Sequence, residues 1–388
     1  MSNKDISLSE GEKYQQQINN NPKLNRTLKA VFPGKYIQGE GLINELPEMI
    51  KLFGNKGLIL TSRTVKNTVL DKLLHKFNEE NILIEEFGGE CTESELKRLS
   101  AIIKKNQISI VVGMGGGKVI DTAKIIADRA SIPVIIVPTI ASTDAPCSGC
   151  AVIYTDKGVF ESVYYLKMNP QIVVVDMNVI ANAPTRFLVA GMGDALATWF
   201  EAESCHRALS MNECGGYGTL TALNLAKLCY DTIIRYGMAA KIANENNIVT
   251  EALNHVVEAN ILLSGIGFES AGLASAHSIH NGLSALEGTH KFYHGEKVAF
   301  GTLAGLHLTD ALPSEIDKVY AFCENIGLPT TLLEIGVIDI DKNDLMKVAV
   351  KTCAPQESIH HEAGCITPSR VLNAIIAADA MGKLRKNK

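Results

Sequence analysis

The chain has 388 residues, 46% hydrophobic, 20% charged and 6% aromatic, with 32 glycines and a formal net charge of −5. This balance excludes a disordered, collagen-like or coiled-coil chain. With no basic excess to neutralise phosphates and few aromatic rings to stack on bases, it also excludes nucleic acid as a partner.

The length is more than one hydrophobic core usually fills, so two domains are expected. Residues 1–25 are polar, rich in Gln and Asn, and lack the apolar core of a signal peptide; they read as an extension. The most apolar stretch, Ile132–Ala141, is broken by Pro133 and Pro138 and falls far short of the ~20 residues that a membrane span needs, so no membrane association is expected. Nine cysteines without a secretory signal point to free thiols in a reducing compartment, the cytoplasm.

From there the chain alternates. Strands are expected at Gly57–Thr61, Ile82–Phe87, Ile108–Val112, Pro133–Val137 and Ile172–Val175, several almost wholly apolar, as in a parallel sheet covered on both faces. Helices are expected between them at Val65–Asn78, Glu93–Lys104 and Lys118–Arg129. Ala151–Tyr154 and Val159–Tyr164 flank a turn at Thr155-Asp156-Lys157-Gly158 and read as a hairpin. The pattern changes at Asn182-Ala183-Pro184, where Asn182 could cap a helix whose first turn holds the proline. We therefore expect a doubly wound α/β domain over 26–183 and a mostly helical domain over 184–388, with a ligand cleft at the carboxyl ends of the strands.

Three segments of the first half carry chemistry. Gly113-Met114-Gly115-Gly116-Gly117-Lys118 joins a strand to a helix, where glycines and free backbone N–H groups suit a pyrophosphate. It matches neither G-x-G-x-x-G nor the Walker loop, and a tight turn is the bland alternative, but three consecutive glycines are more than a turn requires and favour phosphate contact. Pro138 to Pro146 follows the next strand and brings Thr139, Ser142, Thr143 and Asp144, which suit either a ligand or self-satisfied turns. Cys147-Ser148-Gly149-Cys150 has no second pair to complete a zinc site and reads as packing.

In the second half, Asp194 lies among Leu188, Val189, Leu196 and Trp199, where a carboxylate needs a partner. His277 and His280 share a helix face, and His290 and His294 follow. Five of the ten histidines fall within 255–294, which suggests a site, although no short zinc signature is present. His75, His206, His307, His360 and His361 read as ordinary structural histidines.

Taken together these segments resemble the glycerol dehydrogenase branch of the iron-containing alcohol dehydrogenase superfamily. The likeness runs through Pro33–Gly39, the glycine loop with Asp121 and Lys124, Pro138–Pro146, Pro184–Glu201, His277/His280 with Asn281-Gly282, and His294–Lys297. It implies an α/β N-terminal Rossmann-like nucleotide-binding domain with a parallel sheet and an all-α C-terminal domain that binds metal and substrate, the architecture shared with dehydroquinate synthase. It also implies oxidation of glycerol to dihydroxyacetone, hydride passing from a zinc-held alkoxide to the nicotinamide of NAD. Asp194, His277 and His294 would hold zinc and substrate. Asp144 would face the substrate, and Asp144 or His280 would assist departure of the proton. Gly116, Gly117, Lys118, Asp121, Thr139, Ser142, Ser148, Cys150, Val152 and Tyr154 would line the cofactor.

Iron-using members bring a further histidine one turn after the aspartate; here that position is Thr198, which favours zinc over iron. Members commonly carry an acidic residue after the second strand. Here Ser62 and Arg63 stand instead, which leaves NADP open beside NAD. The resemblance further implies a homo-oligomer, often an octamer, acting on a small polyol. Other readings kept open are another polyol or alcohol dehydrogenase, a dehydroquinate synthase-like lyase, and a non-catalytic nucleotide-binding protein.

Overall fold

The computed structural model describes residues 27–77, 81–338 and 341–387. The polar extension expected over 1–25 lies outside them. The described residues fall into two compact units, one of 31–140 with 145–183, the other of 27–30, 141–144 and 184–387.

The first unit is built on a six-stranded parallel sheet. Its strands are β1 (Tyr36–Gly39), β2 (Gly57–Thr61), β3 (Ile82–Glu86), β4 (Ile110–Gly115), β5 (Val134–Pro138) and β8 (Ile172–Asp176), in the order β1-β8-β5-β4-β2-β3. β2, β4, β5 and β8 are buried at every position, because helices such as Glu93–Asn106 and Gly117–Ala130 cover the sheet. Ile59, Val112, Ile135 and Val174 form the centre of its core. Between β5 and β8 stands the expected hairpin, β6 (Cys150–Tyr154) with β7 (Phe160–Tyr165).

Three local differences from the sequence reading have physical causes. The helix expected over 65–78 is a short one, Arg63–Thr68, followed by two 3₁₀ turns, and residue 78 lies outside the described residues. Its first half carries Thr64, Val65, Asn67, Thr68 and Val69, all weak helix formers. β4 runs on through Gly113 and Gly115, so two of the loop glycines sit in the ladder. Asn182 closes the short helix Met177–Ala181, and Pro184 opens the next one.

The second unit is helical, as expected. Its helices include Thr185–Ala208, Leu220–Glu245, Glu251–Glu258, Ser264–Ala271, Ser275–Leu283, His294–Leu308, Pro313–Ile326 and Pro368–Lys386. Glu251–Glu258 and Ser264–Ala271 are joined by a π-helical turn, Ala259–Leu263. Such turns insert one residue into a helix and are frequent at functional sites. No single helix among the described residues is long and apolar enough to cross a membrane.

Candidate active site

The helical unit brings Asp194, His277 and His294 together. One ligand atom from each lies within 4.8 Å of the others. His294 Nε2 is 3.0 Å and His277 Nε2 3.4 Å from Asp194 Oδ1. Neither Asp194 oxygen, both buried, receives a well-aimed hydrogen bond. A buried carboxylate without donors, facing two ring nitrogens, is a donor set that fits a divalent cation. Burial alone would raise the Asp194 carboxyl, but His294 and His277 beside it hold it well below the usual carboxylate range.

The close approach is made by glycines. A β-carbon on Gly193 would fall 2.4 Å from the Gly295 carbonyl oxygen, and one on Gly295 would fall 1.8 Å from the Ala190 carbonyl oxygen. Only hydrogen fits at these positions, so the helices Thr185–Ala208 and His294–Leu308 touch backbone to backbone. That contact sets His294, the first residue of its helix, beside Asp194.

Further polar groups hold these side chains in place. Glu201, two turns after Asp194 and almost wholly buried, places Oε2 2.6 Å from His277 Nδ1. Its Oε1 accepts the backbone N–H groups of Ala274 at 2.9 Å and His277 at 3.0 Å, capping the helix Ser275–Leu283. Burial works against a charged His277, but the charges of Glu201 and Asp194 outweigh it and raise the imidazole well above its usual value. His294 Nδ1 lies 3.2 Å from His280 Nε2, and His280 Nδ1 lies 3.0 Å from Asn281 Oδ1. Burial, with the neighbouring His294 and Lys297, holds His280 well below the usual histidine range. His290 and His255 stand apart: His290 meets the Ser284 carbonyl, and His255 stacks on Tyr236.

Asp144 belongs to the same unit. Its Oδ2 accepts the Ser264 hydroxyl at 2.7 Å, and Thr198 Oγ1 lies 2.9 Å from Ser264 Oγ. Ser264 is the first helical residue after the π turn, in which Asn260 Nδ2 donates to the Ala141 and Leu188 carbonyls. Burial and the charge of Asp194 push the Asp144 carboxyl well above its usual range. Ser142 stands in the same four-residue stretch, half-buried.

The other positions singled out from the sequence lie in the α/β unit. Gly116 is the N-cap of the helix Gly117–Ala130, and Lys118 pairs with Glu90 at 2.5 Å and lies over the Tyr154 ring. Thr139 is buried, its N–H bonded to the Gly115 carbonyl at 3.1 Å. Asp121 Oδ2 accepts the Val152 N–H at 3.0 Å, and Asp121 Oδ1 lies 3.2 Å from the ammonium of Lys124. Lys124, fully buried, also donates to the carbonyls of Ala145, Ser148 and Cys150 and to the Ser148 hydroxyl. Asp121, Ser148, Cys150 and Val152 are thus knitted into one internal network. Neither Cys147 nor Cys150 is joined in a disulfide. Ser62 caps its helix by accepting the Val65 N–H, and Arg63 pairs with Glu86 at 2.9 Å. Glu86 stands at the end of the neighbouring β3, level with Thr61 of β2.

Glu201, Ser264, Asn281 and Glu357 were not singled out for a role. The available signal was a polar residue inside an apolar helical run, which for Glu201 recurs on the face of Asp194 seven residues later.

Residues 33–177 match the family model of the iron-containing alcohol dehydrogenases. A glycerol dehydrogenase of Thermotoga maritima is 52% identical over 92% of this chain and 98% of its own length. One of Citrobacter freundii is 47% identical over 90% and 97%. The crystal structure of a probable glycerol dehydrogenase from Sinorhizobium meliloti matches with a TM-score of 0.88 at 42% identity, covering 92% of this chain and 100% of that one. With identity of this order over nearly the whole chain, the protein belongs to the iron-containing alcohol dehydrogenase superfamily, on its glycerol dehydrogenase branch, and is an oxidoreductase.

Proposed function

We propose that the protein oxidises glycerol, and related vicinal diols, to dihydroxyacetone and its analogues, using zinc and NAD. The observation that carries this reading is the convergence of Asp194, His277 and His294 in a chain whose relatives are named glycerol dehydrogenases. Bound zinc supplies a Lewis acid that eases ionisation of a hydroxyl near neutral pH, and NAD supplies the hydride acceptor. Asp194, His277 and His294 would hold the metal. Thr198, turned to Ser264, offers no fourth imidazole, which favours zinc over iron.

Glu201 keeps His277 oriented by taking its Nδ1–H. Asp144 is suited to receive a substrate hydroxyl hydrogen and to hold a proton at its carboxyl oxygen, because burial and Asp194 favour its protonated form. His280 has both ring nitrogens committed to neighbouring side chains, so Asp144 is the better candidate for the proton. In the α/β unit the N-terminus of the helix Gly117–Ala130 is suited to a pyrophosphate. The carboxylate of Glu86, beside Arg63, favours NAD over NADP.

The test is a panel of glycerol, 1,2-propanediol and simple alcohols with NAD and NADP, before and after chelation. Reduction of NAD by glycerol that stops on chelation and returns with zinc supports the reading, and light scattering checks the homo-oligomer. His277→Ala should lose metal and turnover together. Full activity in a metal-free His277→Ala protein would overturn the mechanism.

A further inference from the structure

We propose that His280 is a positioning residue, fixing His294 as the tautomer whose Nε2 bears the lone pair. The inference rests on the metal reading above. Four side chains form a continuous polar run: Glu357 Oε2 to Asn281 Nδ2 at 2.9 Å, Asn281 Oδ1 to His280 Nδ1 at 3.0 Å, and His280 Nε2 to His294 Nδ1 at 3.2 Å.

The direction of this run follows from its end. Glu357 as a carboxylate only accepts, so the Asn281 amide must turn its NH₂ towards it. The Asn281 oxygen then faces His280 and takes a hydrogen from Nδ1. Neutral His280 has one N–H, so its Nε2 is left as an acceptor. His294 must fill that acceptor with its own Nδ1–H, and its Nε2 is left bare, 3.0 Å from Asp194.

The opposite direction would set the Asn281 oxygen against the Glu357 carboxylate, two acceptors face to face. It would also put a hydrogen on the His294 nitrogen that a metal needs. His277 reaches the same tautomer by another route, through Glu201. The two ligand histidines are thus prepared by different partners, one by a carboxylate directly and the other by a carboxylate three side chains away.

The test measures zinc affinity of the full-length protein by competition with a chromophoric chelator, with glycerol oxidation followed separately. His280→Leu removes the acceptor and should weaken zinc binding by about 10- to 100-fold. His280→Gln keeps an amide oxygen for the His294 Nδ1–H and should recover most of that loss, which a packing role alone would not predict. Glu357→Leu, at the far end of the run, should weaken binding in the same direction but by less, and it carries the test if His280→Leu does not fold.

Wild-type affinity in both His280→Leu and Glu357→Leu overturns the proposal, as does His280→Gln binding no better than His280→Leu. A wild-type protein that takes up zinc while both His280→Leu and Glu357→Leu are unaffected sinks the tautomer proposal alone. A wild-type protein that takes up no zinc sinks the metal reading and this proposal with it.

Discussion

Replacing Gly295 by alanine should separate the two helices that carry Asp194 and His294. The added β-carbon would lie 1.8 Å from the Ala190 carbonyl oxygen, where ordinary contact begins near 3.4 Å. Both sides of the contact are backbone, so no side-chain rotation can relieve it. The helices must part by about 1.5 Å if the whole shift is taken along the contact. Metal–ligand distances tolerate only about ±0.2 Å, so the His294 ring would leave the cluster. Overpacking of this kind costs about 1–3 kcal/mol, and the absence of a flexible neighbour places Gly295→Ala at the upper end. A displacement near 1 Å at a reacting centre costs about 100-fold in turnover. Zinc content by elemental analysis and the urea midpoint, measured on the same preparation, read the two effects together. A Gly295→Ala protein with wild-type zinc content and an unchanged midpoint would refute the argument that backbone contact sets the ligand spacing.

Lys124→Met should strand the buried Asp121 carboxylate and three carbonyls, costing about 3–5 kcal/mol in urea unfolding. Adding Asp121→Asn should recover part of that loss, and a double mutant less stable than the single would refute the pairing. Glu95 is partly desolvated, which raises its carboxyl, but Arg98 and the Gly88 N–H outweigh this and lower it. Glu95→Gln should therefore cost about 1–3 kcal/mol at neutral pH. The stabilisation is present above the unfolded value near ~4.3 and is lost as pH falls through the lower folded one, so the gap between wild type and variant should close on acidification. A gap that stays constant down to low pH would argue against it.

The sheet was legible because its central strands are unbroken apolar runs: β2 lies at Gly57–Thr61, as its composition predicts. β1 was not, because Tyr36-Ile37-Gln38-Gly39 is four residues long, half-buried, and held by pairing with β8, more than a hundred residues away. The glycines of β4 look like loop yet take part in the ladder. In the helical unit, His277 and His280 share a face as their spacing implies. Their partners Glu201 and His294 come from other helices, and nothing local encodes those meetings. Ser264 and Asp144 are 120 residues apart and meet after a π turn, which shifts helical periodicity by one residue and hides the face from any 3.6-residue count.

Glu201 ends the helix Ser275–Leu283 and grips His277 with the same carboxylate. Fraying of that helix and release of His277, the proposed metal ligand, are therefore a single opening event. Amide hydrogens at Ala274 and His277 should exchange with solvent at the rate of that opening, and whatever holds the ligand in place slows them. Occupancy of the site is in this way coupled to the local folding free energy of a helix end, and the backbone of Ala274 and His277 becomes a reporter of it.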